Sequence, residues 1–141
     1  MMAPRFGSVI LCDLVYLDRD SNKPILAGVY SGAITLPTFP VDCRFAMYAE
    51  FIVDEPGDHE IDLQFIVGNE RRGGIKANIH IDDSDGTAMI ITPVFGIMLP
   101  EPTTLVMKAR IDGGRPKQVL SKQVRLAAGA SSASGQPILQ S

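Results

Sequence analysis

The sequence has no tryptophan, only two cysteines and two histidines, and its aromatic residues make up just 6% of the chain. Each scarcity excludes something. Two thiols, Cys12 and Cys43, cannot form the disulfide framework of a small secreted scaffold. Both lie in or beside apolar runs, so they are expected to be buried free thiols in a reducing, cytoplasmic protein. His59 and His80, both on or near positions expected to be exposed, come without HxH or CxxC and fall short of the ligands a zinc ion needs. No run approaches the roughly 18 apolar residues of a membrane span, and the opening residues lack the basic-then-apolar pattern of a secretory leader. No membrane partner is expected. The 13 lysines and arginines are scattered against 16 acids, for a net charge of −3. Without a basic stripe to neutralise phosphates, no nucleic-acid partner is expected. There is no GxSxG, no GxGxxG and no helical apolar stripe, so no cofactor is expected, and Rossmann and TIM architectures are excluded.

What is present is strand pattern, and at 141 residues it fits one domain. Residues 9–17 and 25–36 read as two long strands, apolar on both faces and therefore covered on both sides. Asp13 interrupts the first. A buried carboxylate is costly unless paired, so Asp13 is expected to pin loop 18–23 through Lys23 or the loop's backbone N–H groups. Gly28 and Gly32 fall on one face of the second strand, where they are expected to make room for a neighbour's large side chain. Strands are expected over 44–53, 59–67, 75–81, 87–99, 105–111 and 117–126. Ile61, Leu63, Phe65 and Val67 alternate with Glu60, Asp62 and Gln64, and Ile75, Ala77, Ile79 and Ile81 with Lys76, Asn78 and His80. A polar loop is expected over 68–74, a bulge or break near Pro93 and Gly96, and a hairpin at Asp112-Gly113-Gly114. About eight strands separated by turns point to an all-β sandwich or barrel over residues 6–126. Residues 127–141 read as a flexible tail.

The run LCDLVYLD, an NKP loop, ILAGVYSGAI and then FPV resembles the opening of a bacterial family of uncharacterised domains of unknown function. That family begins with a CD…D…GK…L.GVF pattern leading into FP. An acidic turn before Gly86, a proline near 100 and IDG at 111–113 follow in the same order. The similarity covers roughly residues 8–126, with Asn22 and Tyr30 where the pattern has Gly and Phe. The resemblance implies an immunoglobulin-like antiparallel β-sandwich of about seven to eight strands. It implies no activity.

Few groups suggest chemistry. Asp18, Asp20 and Asn22 have the spacing that opens an EF-hand loop, but the match stops at Lys23, where that loop needs glycine. Asp82, Asp83 and Asp85 form a second acidic loop. Together these six residues are the candidate ligands for Ca²⁺, with solvated turn acids as the alternative. Arg71-Arg72 reads as a solvated pair. No nucleophile–base–acid set has a telling spacing, so the domain is expected not to be an enzyme. The expectation is a protein-interaction or structural module that binds a protein partner or forms a homo-oligomer. Pro93, Phe95 and Ile97 are the candidate interface, because 89–99 is apolar and uncharged.

Overall fold

The structure, a computed structural model, describes residues 5–53, 55–82 and 87–128. Among these residues there are eleven strands in three sheets, one of them curled into a half-barrel. The all-β class holds. The immunoglobulin-like sandwich is not clearly present, for reasons visible in the pairing.

The spine is β5 (Val41–Ile52). One edge pairs with β1 (Arg5–Cys12). The other pairs first with β9 (Phe95–Leu99) and then with β8 (Thr87–Ile91). β8 and β9 are thus one strand broken at 92–94, where the sequence predicts a break. Thr92 bridges the gap: its N–H donates to the Met47 carbonyl at 3.0 Å and its Oγ1 accepts the Met47 N–H at 2.8 Å. At the break, the Thr92 hydroxyl supplies the acceptor that the interrupted ladder does not offer the Met47 N–H.

The second sheet runs β4 (Ile34–Leu36), β11 (Lys117–Leu126), β10 (Thr103–Ile111), β6 (Gly57–Val67), β7 (Glu70–Ile81). All its pairs are antiparallel except β4 with β11, which is parallel. That pair departs from the antiparallel expectation. β6 and β7 meet through Gly68 and Asn69, and strand pairing begins again at Glu70. The loop expected over 68–74 is therefore mostly strand. The β10–β11 turn has Asp112 and Gly113 both at positive φ, with the Gly114 N–H donating to the Ile111 carbonyl at 3.0 Å. This is the type I′ geometry that Asp-Gly favours.

The core lies between the inner faces of the two large sheets. Phe45, Met47, Ala49 and Phe51 of β5 meet Ile61, Leu63 and Phe65 of β6 and Leu105 and Met107 of β10, all buried. β9 adds Ile97 and Leu99, and the Phe95 ring lies 5.0 Å from Phe65 and 6.2 Å from Phe45. Ile97 is 2% exposed. Phe95 and Ile97 are therefore core residues rather than the expected interface. Every second side chain of β9 points inward. Across 89–99 the exposed large hydrophobics are Met89, Val94 and Met98, with Pro93 also exposed.

The third sheet is a hairpin of β2 (Leu14–Leu17) and β3 (Pro24–Ala27). It lies on the outer face of the first large sheet. Val15 and Leu26 pack there against Cys12, Ala46, Tyr48 and Ile91. The two long strands expected over 9–17 and 25–36 are thus four short ones. Asp13 divides the first run and residues 28–33 divide the second.

Candidate functional site

The residues around Asp13 show what the opening motif builds. The Asp13 N–H donates to the carbonyls of Ala27 and Gly28, at 3.0 and 3.1 Å. Gly28 has φ 68°, and a Cβ there would overlap the Asp13 carboxylate. Gly28 is required twice, for its left-handed backbone and for this approach. Gly32 meets nothing within 4 Å, so the expected room for a large neighbour does not apply to it. Tyr30 follows, with its N–H on the Leu11 carbonyl at 3.0 Å and its ring edge-on to Phe45 at 5.4 Å. Its carbonyl accepts from Lys122 Nζ at 2.7 Å. Burial, then the neighbouring Cys43 and Asp13, hold its hydroxyl far above its ordinary range. Burial likewise raises the thiols of Cys12 and Cys43, both free.

Asp13 is exposed and does not pin loop 18–23. Asp18 does: its Oδ2 accepts from the Ser21 N–H and hydroxyl, each at 2.8 Å. These bonds hold its carboxyl below the usual range. The Asp18 N–H meets the Lys23 carbonyl at 2.8 Å, so Lys23 contributes its backbone and not an ion pair with Asp13. Asn22 stands at φ 60°, a conformation in which Gly and Asn are the residues at ease, so its substitution for Gly keeps the turn.

This loop closes on itself through Ser21 and the Lys23 carbonyl. Among the described residues no group of three or more His, Cys, Asp or Glu is arranged to hold a metal. Asp18 is engaged by Ser21, Asp20 and Asn22 project from an exposed turn, and Asp82 approaches His80 at 3.4 Å. Asp83 and Asp85 lie outside the described residues.

A pair the sequence reading misses is His59 with Asp112. His59 is 7% exposed, not at the surface as expected. Its Nδ1 lies 2.6 Å from Asp112 Oδ2 and its Nε2 lies 2.8 Å from the Glu55 carbonyl. Both partners are acceptors, so the arrangement favours the ring with both nitrogens protonated. Those bonds raise its pKa, the one from Asp112 foremost. Burial works to raise the carboxyl of Asp112, but bonds from His59 and the Glu60 N–H prevail and hold it low. With both nitrogens engaged, His59 has none left for a substrate proton. The pair ties the start of β6 to the β10–β11 turn. Its signal is in the sequence: His59 has the parity of Ile61, Leu63 and Phe65, the inward positions.

Two features face outward. The first is the hairpin. Leu14, Tyr16, Leu17 and Ile25, together with Val29 just beyond it, are between 38% and 48% exposed. Tyr16 is the cross-strand partner of Ile25, and Leu14 of Ala27, so Leu14, Tyr16 and Ile25 share the face turned away from the core, while Leu17 has the parity of the inward Val15 and is exposed at the strand end. The second is a groove of about 530 Å³ between the start of β1 and the β10–β11 turn. Phe6, Ala109, Ile111 and Val119 line its floor, and Arg5, Arg115 and Lys117 its rim.

The fold and these groups define an all-β domain whose polar side chains mostly fasten its own turns and strand ends. The chain belongs to the family of unknown function DUF6941, which it matches over residues 7–121. That match runs from Gly7 in β1 to Ser121, halfway along β11, and includes the hairpin and every groove-lining residue except Arg5 and Phe6. No curated protein matches the chain.

Proposed function

We propose that this domain is a protein-interaction module rather than an enzyme, and that it docks a protein partner through the outer face of the β2–β3 hairpin. The observation that carries this reading is the outer face formed by Leu14, Tyr16 and Ile25, with Leu17 and Val29 exposed beside it, on a firmly held element. The hairpin is not a frayed flap. Its inner face is seated on Cys12, Ala46 and Tyr48, and its loop is closed by Asp18 and Ser21. A rigid, contiguous apolar surface on a folded domain marks an interaction site. Tyrosine at its centre suits that role, offering a large apolar ring and a polar tip.

The test is a matched pair of variants, Tyr16→Glu and Ile25→Glu, with Lys76→Glu as control. Cross-linking in cell extract followed by mass spectrometry should give one protein captured by the native chain and by Lys76→Glu, and lost with both hairpin variants. Melting should move by no more than about 0.5 kcal/mol, as for surface substitutions. Light scattering reads self-association through the same face. Capture and assembly state that are unaffected by both hairpin variants would sink the proposal.

A further inference from the structure

We propose that the seam between β1 and β11 is a second binding site, which takes an extended acidic peptide segment of a partner as an added strand on β1. Three observations converge there.

The first is an open edge. β1 is hydrogen-bonded to β5 along one side, and on the other side, among the described residues, only the Leu11 carbonyl has a backbone partner, the Tyr30 N–H. β11 pairs with β10 on one side but with β4 only at Val124, Arg125 and Leu126 on the other. The two large sheets therefore part between residues 5–10 and the first residues of β11. A strand edge is a template for another strand unless charge, proline or brevity blunts it. β1 has eight residues, RFGSVILC, with one charge, no proline and a single bulge between Phe6 and Val9.

The second is the groove beside that edge. Its volume, about 530 Å³, lies within the range of ordinary ligand sites. Phe6 comes from β1 itself, Ala109 and Ile111 from β10, and Val119 from β11. They make an apolar floor that can receive the side chains of one face of an added strand.

The third is charge. Arg5, Arg115 and Lys117 stand at this groove with no acid among its lining residues, in a chain whose net charge is −3. None of the three is in an ion pair among the described residues. The acid beside the turn, Asp112, is committed to His59 and the Glu60 N–H. Three unpaired cations at the rim of an apolar groove call for carboxylates alternating with apolar side chains. A fatty acid would answer the charge and the floor but leave the strand edge unpaired. An acidic extended peptide answers all three, by strand addition.

The probe is a blocked hexapeptide alternating valine and glutamate, titrated into the full chain and followed by amide NMR. Expected are saturable shifts at residues 5–10 and 109–119, slowed exchange of the outward amides of β1, and affinity that falls with salt. The same peptide with lysine in place of glutamate should bind at least about tenfold more weakly, the scale of a lost charge-assisted hydrogen bond. So should the native peptide with Arg115→Glu combined with Lys117→Glu, both at exposed positions. Tyr16→Glu should leave this binding unchanged, which separates the seam from the hairpin. The proposal is overturned by equal binding of the lysine peptide, by shifts centred on 14–29, by no saturable binding, or by binding of decanoate where the peptide does not bind.

Discussion

His59 shows how much a single side chain can reveal once its partners are known. Its two acceptors favour the charged ring, and that preference gives a pH signature of definite sign. The raised His59 pKa means that its contribution is full below the unfolded value of about 6.5 and is lost as pH rises through the folded value. The lowered Asp112 pKa means that its contribution is present above the unfolded value of about 3.9 and is lost as pH falls through the folded one. Both are in place between about pH 4 and 6.5. His80, with Asp58 at 2.8 Å, shifts in the same direction as His59 but is exposed and screened. Asp112→Asn isolates the pair formed by the buried His59, because asparagine tolerates the φ of 52° and keeps an acceptor for the Glu60 N–H. Thermal melts from pH 4 to pH 8 should show the native protein losing stability towards the alkaline end, and the variant with a clearly smaller slope. Identical slopes would mean that His59 is neutral in the fold.

At the scale of elements, Thr92 is the piece on which the broken β8–β9 strand depends. Its hydroxyl satisfies the Met47 N–H inside a covered sheet. Thr92→Val keeps the shape and removes the acceptor, leaving a buried donor unpaired at a cost of roughly 1–3 kcal/mol. Chemical denaturation should show that loss, and the amide of Met47 should exchange faster. A variant as stable as the native protein would show that Pro93 alone shapes the break. The strands were legible in proportion to how plainly their alternation reports one wet and one dry face. Ile61 to Val67 and Ile75 to Ile81 reveal β6 and β7, and Asp112-Gly113 reveals its turn. The run Val9 to Leu36 was misleading because its residues are apolar throughout. Composition there cannot show that Asp13 bends the chain or that Gly28 turns it, since both effects depend on where the hairpin lies on the outer sheet face. Phe95 and Ile97 misled for a related reason. An uncharged strand in the core and an uncharged strand at an interface read alike, and only packing against Phe45 and Phe65 separates them. The groove was not legible at all, because Arg5 is brought to Arg115 and Lys117 by sheet topology rather than by spacing.

For the whole molecule, the two thiols report on the integrity of the packing. Cys12 is fully covered, Cys43 is 6% exposed, and burial holds both above their ordinary range. Neither should react with an aromatic disulfide reagent in the native state except as the domain opens. Two slow equivalents in buffer and two fast ones in denaturant are expected. A fast equivalent in buffer would show that the sheet between β1 and β5 breathes. The parallel pairing of β4 with β11 reaches further, into how the protein is made. β4 leaves the ribosome well before β11, yet β11 is its only partner strand among the described residues, with Ile34 meeting Val124. Until β11 emerges, Ile34 has no sheet to join and the edge of β10 stands bare. Such non-local pairing folds slowly, and transiently bare edges recruit other chains. The second sheet must therefore wait until β11 has been made. A nascent chain stalled before residue 117 should be held by chaperones as an incomplete client rather than folding strand by strand.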